Sequence, residues 1–205
     1  MNVLHLDSSP LGQVSVSRQI TAAVAAALAG NSGSVTYRDL AADPIGHLDG
    51  TVIAAMRPVP GTAPSQDEAV KGELALNETL LDELFAAEAI VIGAPMYNFS
   101  VPSQLKTWID RIAQAGRTFR YGANGPEGLA GGRKVVVVSS RGGKYAGTPY
   151  ESALDHQEAY LRAVLGFLGM TDVTVIRAEG VAMGPDAREQ AIAAALSESS
   201  ALAAA

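Results

Sequence analysis

An α/β fold, a parallel β-sheet layered between helices, is predicted by three observations. Short apolar runs rich in Val and Ile alternate with longer amphipathic or alanine-rich segments, the order that gives a parallel sheet with helices on both faces. The run Ala89-Ile90-Val91-Ile92-Gly93 is apolar on both faces, as a strand covered on two sides should be. The chain has 205 residues, 48% of them hydrophobic, enough for one substantial core and too apolar for disorder. Residues 1–205 read as a single domain.

The elements follow in order. Strand 1 covers residues 2–7. A helix runs over residues 17–29, with Gly30 as its stop. Strand 2 lies at residues 34–39. Residues 41–65 hold Gly and Pro around a short apolar piece at 51–56; this is long for an α/β connection and is expected to cover something. A helix over 66–87 leads into strand 3, residues 89–93. The helix over 102–115 begins with Pro102, which suits a first turn. Residues 118–132, rich in glycine and aromatics, read as a hairpin or flap. Strand 4 is residues 134–139. A helix over 150–168 precedes strand 5, residues 172–178, and an alanine-rich helix starts at Pro185. Five such units suggest a doubly wound, flavodoxin-like sheet of order 2-1-3-4-5, in which strands 1, 3 and 4 are neighbours.

Composition narrows the function. The net charge is −6 and the pI about 5.0. Without a basic stripe, nucleic acid and anionic membranes are poor partners. There is no cysteine, which excludes disulfides and thiolate chemistry and fits a reducing compartment. The opening Val3-Leu4-His5-Leu6 is too short for a signal-peptide core, and no apolar stretch approaches the ~18 residues of a membrane span. A soluble, cytoplasmic protein is expected.

The unusual loops follow strands 1, 3 and 4, at the strand ends where open α/β sheets bind ligands. After strand 1, Ser9, Ser15 and Ser17, with the N–H groups of Val16 and Ser17 at a helix start, suit an anion such as a phosphate. A single serine would serve as a helix cap, and three exceed that need. Arg18 opposes the helix dipole, so it is either an anion's partner or a solvated side chain. After strand 3, Pro95 stiffens the exit. Met96, Tyr97 and Phe99 can pack on a flat ring while Asn98 bonds its edge; a loop plugging the sheet end is the alternative. After strand 4, Ser140-Arg141-Gly142-Gly143 lets the backbone approach a ligand closely, although paired glycines are also an ordinary loop signal. One ligand with a phosphate at one end and a heterocycle at the other touches all three loops, and flavin mononucleotide (FMN) fits that description.

Other chemistries fail on their residues. There is no G-x-G-x-x-G, no P-loop and no G-x-S-x-G. His5, His47 and His156 lack ligand spacing, so no metal site is expected. His5 reads as a core histidine with a satisfied hydrogen bond, and His156 as a surface residue.

Taken together, Leu6-Asp7-Ser8-Ser9, Ser15-Val16-Ser17, Ala94-Pro95-Met96-Tyr97-Asn98-Phe99, Phe119-Arg120-Tyr121, Asn124-Gly125-Pro126-Glu127-Gly128-Leu129 and Ser139-Ser140-Arg141-Gly142-Gly143 resemble the bacterial FMN-dependent NADH-azoreductases, also described as FMN-dependent NADH:quinone oxidoreductases. The resemblance covers nearly the whole chain. It implies that two electrons pass as hydride from NADH or NADPH through FMN to quinones and azo compounds by a ping-pong mechanism, with no catalytic side chain of the protein's own. It further implies a homodimer with active sites at the interface. Ser9, Ser15, Val16 and Ser17 match the phosphate positions. Pro95, Met96, Tyr97, Asn98, Phe99, Ser140, Arg141, Gly142 and Gly143 match the positions that hold the ring. Phe99, Tyr121 and Val164 match the substrate pocket. Val164 stands where some members carry an aromatic, so substrate preference is expected to differ. The helix with Trp108, Ile109 and Ile112 either joins the dimer interface or packs on its own sheet. Rival readings are a non-catalytic FMN electron carrier and, more weakly, a serine hydrolase using Ser8 or Ser9.

Overall fold

The computed structural model describes residues 1–59, 61, 63 and 65–204. Pro60, Thr62 and Pro64, inside the long excursion after strand 2, lie outside the described residues, as does Ala205.

Five parallel strands form the main sheet: β1 (Asn2–Asp7), β2 (Ser34–Asp39), β3 (Ala89–Gly93), β6 (Lys134–Arg141) and β7 (Asp172–Glu179). Between β3 and β6 come β4 (Phe119–Gly122) and β5 (Gly125–Gly128), an antiparallel pair of their own. The sheet order is β2-β1-β3-β6-β7. The flap expected at residues 118–132 is thus a hairpin, and its two strands shift the numbering relative to the expected 2-1-3-4-5.

Side chains alternate across the sheet with a period of two. Val3, Ala89, Val91, Val136, Val138 and Ile176 pack with Val16, Ile20 and Val24 of α1 (Val16–Ala29) and with Ala195 of α7 (Pro185–Ala204). Leu4, Leu6, Ile90, Ile92, Val135 and Val137 face the other way. They meet Leu80, Leu81 and Leu84 of α3 (Glu68–Ala86), Leu105 and Trp108 of α4 (Ser103–Ile112), and Leu161 and Leu165 of α6 (His156–Phe167). Each such fully buried Leu or Ile contributes roughly 1.5–3 kcal/mol. Trp108, Ile109 and Ile112 are therefore spent on the chain's own core, which removes them from any dimer interface.

Caps set the helix limits. Ser15 precedes α1 and its Oγ accepts from the Arg18 N–H, while Gly30 ends the helix at φ 59°. Asp49 caps α2 (Gly50–Met56) within the excursion, and Asp67 caps α3. The helix expected over residues 150–168 is two: α5 (Glu151–Leu154) and α6. Asp155 separates them because its carboxylate accepts from the N–H groups of Gln157 and Glu158 and so starts a new helix. β6 runs two residues past its expected end, placing Ser140 and Arg141 in the strand.

Candidate functional site

Asp7, Gly93 and Val138 lie level across β1, β3 and β6, so the loops that follow these strands leave one edge of the sheet side by side. They are also stitched together. Ser8 Oγ donates to Gly93 O at 2.5 Å. Ala94 N donates to Val138 O at 2.9 Å and Met96 N to Ser140 O at 2.8 Å, so the loop after β3 keeps running along β6.

The serine loop is built mainly from short-range bonds, with Arg188 Nη2 of α7 donating to Val14 O at 2.6 Å. Ser9 Oγ accepts from Leu11 N at 3.3 Å. Ser15 Oγ caps α1 and sits 3.1 Å from Ser17 Oγ. Val16 and Ser17 occupy the first two helical positions, whose N–H groups have no intrahelical acceptor. Arg18 is partly buried and already paired within the chain. Its Nε and Nη2 donate to Ser9 O at 3.2 and 2.8 Å, and its fork grips the Asp39 carboxylate at 2.5 and 2.6 Å. That bond, opposed by burial and aided by the Ala41 and Ala42 N–H groups, pulls the Asp39 carboxyl down to about 2. Beneath the loop, burial pushes the Asp7 carboxyl up, but the adjacent His5 ring and the Thr21 and Tyr37 hydroxyl bonds outweigh it and hold it below the usual range. Tyr37, which donates to Asp7, is pushed up to about 12 by burial and by the Asp7 charge. His5 is buried as expected, but its Nε2 lies 3.4 Å from Asp7 Oδ1 and makes no hydrogen bond among the described residues.

The segment after β3 is tightly folded. Tyr97 and Ser100 exchange N–H···O bonds at 3.0 Å in both directions. The two residues between them, Asn98 and Phe99, sit at φ 48° and 69°, a left-handed conformation that non-glycine residues adopt only under constraint. The constraint includes α6, whose first N–H, from His156, donates to Phe99 O at 3.1 Å. Pro95 is buried and Met96 half-buried, while Asn98 and Phe99 are exposed. The Tyr97 hydroxyl is buried and has no partner among the described residues.

The loop after β6 has its carbonyls occupied. Arg141 O accepts from Val181 N, Gly142 O from Ala182 N and Gly143 O from Gly180 N, at 2.9–3.1 Å. The N–H groups of Gly142 and Gly143 have no acceptor among the described residues. Tyr145 meets Phe99 edge to face at 6.4 Å between ring centroids, joining this loop to the previous one. The Arg141 guanidinium faces inward. It is fully buried and pairs with Asp155 at 2.8 Å, Glu179 at 3.1 Å and Glu158 at 3.5 Å. Its side chain is therefore taken up inside the fold.

Sequence reasoning overlooked Gln157. This fully buried amide donates from Nε2 to Ala94 O at 3.0 Å and accepts from Ser139 Oγ at 2.5 Å. The available signal was the pair Asp155 and Glu158, at the N-cap and third helical position, a spacing that marks a helix start. Tyr121 stands on the hairpin, 75% exposed, in edge contact with Phe119. Val164 is half-buried against the core. Among the described residues no ring contact links Tyr121 to Phe99. Ser8 and Ser9 bond to no histidine, which leaves the hydrolase reading without a base.

Known proteins share this arrangement. Residues 1–202 match the family described as Flavodoxin-like fold. An FMN-dependent NADH:quinone oxidoreductase of Azospirillum brasilense is 59% identical, covering 99% of this chain and 98% of its own. A Pseudomonas aeruginosa protein of the same name, numbered 2, is 54% identical over 95% of each chain. Among solved structures, an FMN-dependent NADH-azoreductase of Bacillus anthracis in complex with FMN superposes with a TM-score of 0.89 at 26% identity, covering 100% of this chain and 98% of that one. No described helix is long and apolar enough to cross a membrane. With a family match over nearly all of its length, and relatives more than half identical to it, the chain belongs to the FMN-dependent NADH:quinone oxidoreductases of the flavodoxin-like fold.

Proposed function

We propose that this protein is an oxidoreductase that carries two electrons as hydride from NADH or NADPH, by way of FMN, to quinones and azo compounds. The observation that carries the reading is the meeting, at one sheet edge, of two sets of unclaimed N–H donors. Val16 and Ser17 supply one set and Gly142 and Gly143 the other, with the Met96–Phe99 strip beside them. The residues fit FMN. Helix-start amides and the Ser9, Ser15 and Ser17 hydroxyls suit its phosphate. The buried, unpartnered Tyr97 hydroxyl and the exposed Asn98 and Phe99 suit a flat ring with polar edges.

FMN, when bound, supplies the hydride chemistry. The chain's part is placement. Gly142 and Gly143 aim amide dipoles where negative charge gathers on reduction, and because these donors are fixed in advance they need no reorganisation. Pro95, Met96 and Phe99 exclude water from one side of the site. Donor and acceptor then occupy the same open face in turn, which makes the kinetics ping-pong. The working form is a homodimer in the cytoplasm, in which a second copy covers the exposed Tyr121 hairpin and completes the pocket with Phe99 and Val164.

Steady-state assays with NADH, NADPH, a benzoquinone and an azo dye test this. Rapid multiple turnover with parallel double-reciprocal lines is expected. Intersecting lines remove the ping-pong order, and flavin that neither nucleotide reduces supports the electron-carrier reading instead. A monomeric mass at micromolar concentration removes the dimer.

A further inference from the structure

Three successive residues at the start of α6 reach the two loops assigned above to the flavin ring. Asp155 pairs with Arg141 at the end of β6. The His156 N–H holds Phe99 O. The Gln157 amide holds Ala94 O on one side and the Ser139 hydroxyl on the other, and Ser139 Oγ in turn accepts from Arg141 Nε at 2.9 Å. The segment from residue 94 to residue 99 is thus gripped at both ends by one helical turn, and that turn is bolted to β6. The Gln157 bridge lies below the surface, since Gln157, Ala94 and Arg141 are each 0% exposed.

We infer that Gln157 is a positioning residue for the flavin ring, which sets FMN affinity without touching the cofactor. The inference rests on the FMN reading above. Ala94 O is a buried acceptor at the point where β3 stops, and a buried carbonyl needs a donor. A side chain with a donor on one atom and an acceptor on the other satisfies Ala94 O and the Ser139 O–H together, and a primary amide is such a group. With that bridge in place the Ala94 end of the segment cannot drift from β6. The left-handed turn at Asn98 and Phe99 then keeps its place beside Gly142 and Gly143. Without it Ala94 O loses its side-chain donor, and the segment is held by the Ala94 N–Val138 O and Met96 N–Ser140 O bonds to β6, the Phe99–His156 bond and the Tyr97–Ser100 pair.

The test uses a side chain whose bonding can be switched. Gln157→Glu keeps the size of the amide. When protonated it offers one O–H donor and one acceptor, restoring both bonds; when ionised it is acceptor-only and faces a carbonyl. Burial and the neighbouring Asp155 and Glu158 carboxylates raise the pKa of such a carboxyl, opposed by the Arg141 guanidinium that pairs with both. FMN affinity of the full-length apoprotein should lie within about threefold of wild type at pH 6. At pH 9 it should be weaker by about tenfold or more, with wild type as the control for titration of FMN itself. The absorption bands of bound flavin should shift over the same range. A variant that tracks wild type at both pH values, in affinity and spectrum, overturns the inference. A uniform loss with no pH dependence also overturns it, because it marks a general structural role. If Gln157→Glu does not fold, Ser139→Ala decides. Loss of the hydroxyl that orients the amide should weaken FMN by about threefold with a shifted flavin spectrum, and unchanged values refute the claim. Wild-type protein that binds no FMN overturns the proposed function itself, and the positioning role falls with it.

Discussion

The serine loop after β1 and the paired loops after β3 and β6 answer the same problem in opposite ways. The serine loop keeps its hydroxyl and amide donors within nine residues of chain, from Ser9 to Ser17. Its long-range anchors are partly exposed: the Arg18–Asp39 pair, with side chains 15% and 20% exposed, and the bond from Arg188 Nη2 to Val14 O at 2.6 Å. The ring-side loops carry fewer donors of their own and depend on what lies underneath, an Arg141 guanidinium with no exposure among three carboxylates and a buried amide 63 residues from its acceptor. On the proposed function, a phosphate site is built largely from contiguous chain, whereas a ring site rests on a buried frame.

Removing the cation from each region should break or confirm this contrast most sharply. Arg141→Met leaves buried carboxylates unpaired and is expected to lower stability by about 3–5 kcal/mol. Arg18→Met severs a partly solvated pair and is expected to cost about 1 kcal/mol. Urea unfolding of both variants gives the comparison, and equal losses would erase it. Ligand binding comes next. A Cβ on Gly142 meets only the Ala182 Cβ, at 3.4 Å, so Gly142→Val should fold normally yet raise the FMN dissociation constant at least about tenfold. Unchanged affinity on titration would show that no ring approaches that backbone. Ser17→Ala should weaken FMN by a few-fold and leave riboflavin, which has no phosphate, unaffected; equal losses for both ligands would move the serine loop away from the phosphate.

The smallest effect is expected in acid. The folded carboxyl of Asp39 titrates at about 2, below its ordinary 3.8. The unfolded chain therefore binds the proton first on acidification. The Arg18–Asp39 pair contributes its full stabilisation above pH 3.8, and that contribution drains away as pH falls toward 2. Solvent screening limits it to about 1 kcal/mol. Asp39→Asn should flatten this limb of the stability–pH curve, and an unchanged limb would assign it to Asp7, whose carboxyl is also held low.

The same contrast explains what could be read in the sequence. Strand positions were legible because β1, β3 and β6 are apolar on both faces, and the donors of the serine loop because they are contiguous. Arg18 was misread because its partner, Asp39, sits at the end of a different strand. The break at Asp155 was missed because apolar residues continue on the core face of α6, masking the cap. The Asp155/Glu158 spacing marks a helix start but not the burial of Gln157, whose role exists only once Ala94 and Ser139 have been brought beside it.

The hairpin carries one further consequence. Its base is clamped: Leu129 N bonds to Thr118 O, Ala130 N to Leu168 O, Phe119 packs on Phe167, and a Cβ on Gly128 would fall 2.1 Å from Gly169 N. Beyond that base, residues 121–127 contribute no fully buried side chain. The hairpin is a cantilever, and the sheet does not register what is written at its tip. Natural variation or laboratory selection can therefore rewrite the residues around Tyr121 while the frame around Arg141 and Gln157 is inherited unchanged; on the proposed function, that lets the range of acceptors change without disturbing the flavin's support.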